Sequence, residues 1–422
     1  MSSPFRTAKI RQHFPDEKIE DIQAEVHKQI AQPFVRDVIK PGDHIAITAG
    51  SRGIANIAAI IKYTAEELKQ LGANPFIVPA MGSHGGATAE GQIKVLNSLG
   101  ITEDYCGAPI LSSMETVTIG ETKEGLAVYM DRTAYEADGV LVMGRIKPHT
   151  DFKAEIESGI CKMASIGLGK HDQALALHTL GIKGIRDVMP EAARIIFDSG
   201  KVKLGVGIVE NAYEHTAVIE AIPTEQIMDR EKELLAEARS YMPSLPVENV
   251  DIVHVDEIGK NFSGTGMDTN IIGRIRILGV EEPASPDIKY IIVGDISAPS
   301  HGNALGIGLA DLTTRHVLDQ INYQAMNENV VTSTFLSRAA VPIVLDNDKK
   351  ALEAAMRSNW EVDDADTRFI QIPNTLDVAE MYVSETILNE IQDNEHIEVI
   401  EALQPITYDE HGRLEKIGAS HE

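Results

Sequence analysis

The sequence predicts an α/β protein: two α/β domains with a cofactor cleft between them. Three observations carry that prediction. Short apolar runs alternate with amphipathic segments, as in HIAITAG at 44–50, PFIVPA at 75–80 and DGVLVM at 138–143. Each of these runs opens into a loop rich in Gly, Ser, Arg or His, and such loops at strand carboxyl ends are where open α/β sheets bind ligands. The segment MPSLPVEN at 242–249 carries two prolines and no periodicity, and the alternation restarts after it. The expected domains are therefore 1–245, holding the chemistry, and 246–422, closing the substrate cleft.

In chain order, residues 18–31 have helical periodicity, with Ile19, Ile22, Val26 and Ile30 on one face. Lys40-Pro41-Gly42-Asp43 turns the chain into the strand at 44–50, and a helix over about 54–71 follows Gly50-Ser51-Arg52-Gly53. A strand, a small-residue turn and a helix start present backbone N–H groups to an anion, and Arg52 adds a forked positive charge. A solvated arginine in a plain βα turn is the ordinary alternative. The unit repeats with the strand at 75–80, the loop MGSHGGATAEGQ at 81–92 and a helix near 88–98 started by Thr88. His84 sits in that loop, where a lone histidine is more often structural than catalytic.

Residues 101–137 read as an excursion with short strands, and 203–211 as a further strand. In the second half, 250–259, 289–297, 340–346 and 367–373 read as strands, and about 308–326, 347–359 and 383–392 as helices. Two Gly- and Asn-rich segments, 259–274 and 297–308, each follow a strand. Neither matches a P-loop or the dinucleotide glycine fingerprint.

Composition narrows the partners. A net charge of −26 and a pI near 4.9 argue against nucleic acid and anionic membranes, both of which are polyanions. Two cysteines, Cys106 and Cys161, cannot make a disulfide framework, which fits a reducing compartment. The opening residues hold no apolar signal core, and no apolar run reaches the ~18 residues of a membrane span. The expected location is cytoplasmic.

The stretch 144–181 concentrates the chemistry: His149, Cys161, Lys162, His171 and His178 follow the strand at 138–143. It has no His-x-x-x-His or Cys-x-x-Cys spacing, so a pre-arranged zinc site has little support. Lys162 and His178 are sixteen residues apart, roughly 24 Å along an unbroken helix. They can meet at one ligand only if the chain bends, and Gly167-Leu168-Gly169 offers the break.

The ordered set of motifs resembles the lactate racemase family, enzymes that carry a nickel pincer nucleotide. The motifs are Gly50-Ser51-Arg52 after the first strand, Gly82-Ser83-His84 after the second, Pro148-His149, then Ser158-Gly159-Ile160-Cys161-Lys162, with His178 sixteen residues beyond the lysine. The resemblance spans most of residues 40–185. It implies that Lys162 tethers the cofactor, a nickel-bound pyridinium bisthiocarboxylate mononucleotide, and that His178 is a nickel ligand. Gly50, Ser51 and Arg52 would hold the nucleotide or the substrate carboxylate. His84 and His149 would be the general bases on opposite faces of a 2-hydroxy acid, whose C2 centre is inverted by reversible hydride transfer to the cofactor. Cofactor-maturation proteins are implied as partners.

The chain also departs from the family pattern. Three extra residues separate His149 from Lys162, and Gly159-Ile160-Cys161 stands where Gly-Gly-Arg is usual. In the second half the expected substrate-holding glutamine and lysine fall near Gly273 and Arg276, so Arg276 becomes the candidate carboxylate partner, with Arg274 its rival. The substrate implied is a larger or more acidic 2-hydroxy acid than lactate. Two other readings of the same residues are a divalent-metal lyase or hydrolase using His84, His149 and His178 directly, and a non-catalytic nucleotide-binding protein.

Overall fold

The computed structural model describes residues 5–418. Contacts divide the chain into two units. One is Pro15–Met242, and the other joins the described residues of Met1–Phe14 to those of Pro243–Glu422. Residues 5–14, read above with the N-terminal domain, thus pack with the second half of the chain. Among the described residues no helix is long and apolar enough to cross a membrane.

The first strand of the chain is β1 (Arg6–Gln12), which belongs to the second unit. The unit Pro15–Met242 is built on β2 (His44–Ala49), β3 (Asn74–Pro79), β6 (Gly139–Arg145), β7 (Val202–Glu210) and β8 (Thr216–Pro223), in the spatial order β3-β2-β6-β7-β8. The first four run parallel and β8 closes antiparallel on β7. β4 (Thr116–Glu121) and β5 (Ala127–Asp131) form a separate hairpin within the 101–137 excursion. Strands buried on both faces need apolar side chains on both, and alternation divides them. Val140 and Val142 face a core with Ile160, Leu168 and Leu177, while Leu141 and Met143 face one with Ile60, Leu68 and Leu96.

The helices that matter for the site are α1 (Ile22–Ile30), α2 (Ile57–Gln70), α3 (Ala89–Ser98), α4 (Lys170–His178), α5 (Met189–Asp198) and α6 (Ile227–Ser240). Thr88 caps α3, its Oγ1 accepting the Gly91 N–H at 3.0 Å as expected for a threonine at that position. The sheet order places a switch point between β2 and β6. From β2 the chain steps to β3 on one side, and β6 then pairs on the other. Loops at strand carboxyl ends flanking such a point form the ligand crevice of open α/β sheets. Arg52 follows β2, and His149 follows β6.

The second unit carries an eight-stranded sheet in the order β12-β11-β10-β9-β13-β14-β1-β15. Its strands are β9 (Asn249–Val255), β10 (Asp287–Val293), β11 (Leu312–Thr314), β12 (Ile343–Leu345), β13 (Phe369–Ile372), β14 (Glu380–Ser384) and β15 (Ile397–Pro405), together with β1. The part from β12 to β13 is parallel, and β14, β1 and β15 continue it antiparallel. The single helix expected over 308–326 is instead β11 followed by two helices, Arg315–Gln320 and Tyr323–Ser333. Thr314 and Asn322 start them, each accepting a backbone N–H three residues on. Helix α7 (Asp348–Ser358) packs on β10, β11 and β12. Inside this unit His254 is fully buried between Asp256 (3.1 Å) and Asp348 (3.2 Å). Burial alone would lower its pKa, but hydrogen bonds to the two carboxylates, and then their charges, raise it to about 9.

Candidate active site

The loop after β2 carries Gly50, Ser51 and Arg52. A Cβ on Gly50 would touch Met163 at 3.4 Å, so this loop lies against the turn that bears Lys162. Arg52 keeps exposed surface, yet desolvation of its guanidinium, and then the positive Arg145, pull its pKa below the ordinary value. Arg145 is ion-paired to Glu210. Arg52 has no hydrogen bond or ion pair to any described residue. A cation held beside another cation without its own carboxylate leaves local positive potential that attracts anions.

The loop after β6 starts with a short backbone bridge between Lys147 and Ser158 and carries His149. The imidazole is fixed on three sides. Its Nδ1 accepts the Asp151 backbone N–H at 3.1 Å, its ring stacks on Phe152 with centroids 4.5 Å apart, and its Nε2 lies 2.9 Å from Lys162 Nζ. An Nδ1 that accepts leaves the ring proton on Nε2. That proton faces the Lys162 amine; desolvation lowers the Lys162 pKa, Asp151 partly offsets this, and Arg52 lowers it further.

Lys162 ends a helical turn, Ile160–Lys162, that runs into a π-helical turn, Met163–Gly167, and then into α4. The bend expected at Gly167-Leu168-Gly169 is present. A Cβ on Gly167 would lie 2.7 Å from Ala80 O, one on Gly169 would lie 2.3 Å from Gln173 Cβ, and Lys170 restarts the helix at φ 55°. The bend brings His178, the last residue of α4, within the electrostatic reach of Lys162. Desolvation lowers its pKa first and Lys162 lowers it further, against Asp151. The half-buried His178 ring has no hydrogen-bond partner among the described residues. It is an uncharged imidazole with ring nitrogens available to a metal.

His84 lies in the exposed loop after β3. Its Nδ1 donates to Met81 O at 2.8 Å, which leaves the lone pair on Nε2. This loop is tied to the lysine turn by Gly82 N–H donating to Gly167 O and by the buried Gln92, whose amide donates to Gly82 O and His84 O. Gln92 in turn accepts from Lys170, a fully buried lysine also bonded to Pro79 O and paired with Asp131 at 3.0 Å. Arg52, His149, Lys162 and His178 thus converge with Asp151, and His84 is anchored to the same framework.

Arg276 belongs to the second unit. Its Nη1 donates to Gly308 O and Ala310 O and its Nη2 to Asp311, which Arg274 also grips. Its guanidinium is thus held by a carboxylate and two carbonyls of its own unit. Trp360, the only tryptophan, is 84% exposed.

Sequence reasoning missed Asp151, Glu157, Glu231 and Arg239. Asp151 had a signal, since it lies in the lengthened interval between His149 and Lys162. Glu231 and Arg239 had none, because they occupy ordinary positions of an amphipathic helix. Among the described residues no three His, Cys, Asp or Glu side chains converge into a metal cage.

Residues 6–186 match the family model of the lactate racemase N-terminal domain. No curated protein matches the chain in sequence. Among solved structures, the lactate racemase apoprotein from Thermoanaerobacterium thermosaccharolyticum is 14% identical, with a TM-score of 0.53 over 88% of this chain and 98% of that one. A Thermotoga maritima protein solved by a structural genomics consortium is 13% identical, with a TM-score of 0.52 over 86% of this chain and 98% of that one. At such identities the likeness is one of fold. With residues 6–186 matching the lactate racemase N-terminal domain model and with this likeness of fold, the chain resembles the lactate racemase family.

Proposed function

We propose that the protein inverts the C2 centre of a 2-hydroxy acid with the help of a nickel pincer nucleotide. The observation that carries this reading is the pairing of His149 Nε2 with a half-buried Lys162 amine, beside an uncharged His178 and an unpaired Arg52. The residues fit the group. An amine whose pKa is pulled down can be acylated, an imidazole with no partner among the described residues can ligate nickel, and an uncompensated guanidinium suits a phosphate or carboxylate. Lys162 would hold the nucleotide covalently and His178 its metal, and when bound that group supplies the acceptor and donor of hydride.

The remaining work falls to this chain's own atoms. Arg52 binds an anionic group of substrate or nucleotide. His84, with Nδ1–H tied to Met81 O, offers a lone pair at Nε2 to a hydroxyl proton. His149, with Nδ1 occupied by the Asp151 N–H, offers a proton at Nε2. Two histidines held in opposite tautomers, one with a lone pair and one with a proton at Nε2, suit a reaction that must run in both directions. The absence of a three-residue cage among the described residues gives the direct-metal lyase or hydrolase no comparable support.

The test is nickel per chain, and the mass of the Lys162 peptide, in protein purified from its own host. Near-stoichiometric nickel with an adduct on Lys162, lost in Lys162→Ala together with interconversion of chiral 2-hydroxy acids, is expected. Unmodified Lys162 and no nickel in freshly isolated protein would overturn the reading.

A further inference from the structure

The His149 loop is closed by the Lys147–Ser158 bridge, the turn that bears Lys162 is tied elsewhere through Gly167 O and Leu168 O, and His149 Nε2 and Lys162 Nζ lie 2.9 Å apart. Both segments are gripped from behind by α6, which lies outside the residues that match the racemase domain. The His149 loop is gathered around Glu157, a fully buried carboxylate. Glu157 accepts the backbone N–H groups of His149 at 2.5 Å and Ala154 at 2.9 Å. Its counter-charge is Arg239 of α6, whose Nη2 donates to Glu157 at 2.7 Å and to Ala154 O at 2.9 Å. A buried carboxylate that loses its cation is costly, so this loop is secured only while Arg239 is there.

Two turns earlier on the same helix, Glu231 is also fully buried and accepts the Cys161 N–H at 2.9 Å, at the start of the turn that ends in Lys162. Its approach requires Gly159, where a Cβ would lie 2.2 Å from Glu231 Oε1. The two grips are eight residues apart on one helix, about 12 Å along its axis. A rigid helix that holds both segments sets the distance between them.

We propose that Glu231 and Arg239 are positioning residues, and that α6 is the strut that aligns His149 with Lys162. The proposal rests on the reading of those two as site residues. Its test uses the cofactor-free protein, so the strut and the racemase reading fail separately.

The probe is diethylpyrocarbonate, with modification of each histidine followed by mass spectrometry. In the wild type, His149 is shielded: both ring nitrogens are engaged and one face is covered by Phe152. Arg239→Gln, or Glu231→Met, is expected to speed His149 modification by about tenfold or more through local opening, with His84 unchanged. Arg239→Lys keeps the cation and Glu231→Gln keeps the acceptor, so both should stay near wild type; they also serve if the harsher variants fail to fold. Folded Arg239→Gln and Glu231→Met proteins with wild-type labelling of His149 would overturn the proposal, as would equal acceleration at every histidine. In cofactor-loaded protein, the same variants should lower kcat and leave KM in place. A freed His149 with wild-type kcat would also count against the strut.

Discussion

The two units treat their buried and half-buried cations in opposite ways. In the second unit each prominent cation is matched. His254 lies between two aspartates, Arg274 and Arg276 share Asp311, and Lys416 bridges Glu257 and Asp295. In Pro15–Met242, Arg52 has no anionic partner, and Lys162 and His178 are pushed toward their neutral forms. Lys170 is the control within that unit: burial lowers its pKa too, but it is fully buried and closed off by Asp131, Gln92 and Pro79 O. Uncompensated charge thus singles out the loop after β2 and the lysine turn more sharply than the number of histidines does.

The comparison can be broken by mutation. The largest effect is expected at His254. His254→Ala leaves two buried carboxylates facing each other and should cost about 3–5 kcal/mol of stability, measured by denaturant unfolding, with no change in any Lys162 adduct. The same residue predicts a pH dependence. Its folded pKa, about 9, lies above the ordinary histidine value, so its contribution is full below pH ~6.5 and is lost as pH rises through about 9. A stability curve flat over that window would remove the charged-imidazole assignment.

A smaller effect is expected at Arg276. Arg276→Ala should lower stability by about 1–3 kcal/mol and leave the Michaelis constant alone, since the lost bonds go to Asp311 and carbonyls. A raised KM in a protein of unchanged stability would restore it to the substrate. Smallest in stability is Arg52→Ala, at within about 0.5 kcal/mol, because it has no protein partner to lose. Binding of an anionic substrate analogue, by titration calorimetry, should nonetheless weaken by about tenfold or more. A collapse in melting temperature with intact binding would make Arg52 structural.

What was legible in the sequence follows from the range of the interactions involved. β2, β3, β6 and β7 are apolar runs, and the loops after the first three carry Arg52, His84 and His149, so local pattern was enough to find them. The bend before His178 was signalled by its glycines. The pairing of Arg276 with Asp311 was not legible, because nothing near GRIR points to a partner thirty-five residues downstream. The grips of Glu231 and Arg239 are likewise tertiary, and an amphipathic helix reads the same with or without them. β1, RTAKIRQ, is short and half polar, and its partners lie some 370 residues away.

That last feature sets an order on synthesis. β1 lies between β14 and β15 in the eight-stranded sheet, so it cannot pair until Glu380–Pro405 have been made. By then all of Pro15–Met242 has been available to fold. The unit with uncompensated charge can therefore be finished while the unit that contains the chain's first strand is still waiting for its last, a delay set by the long loop that β1 must close.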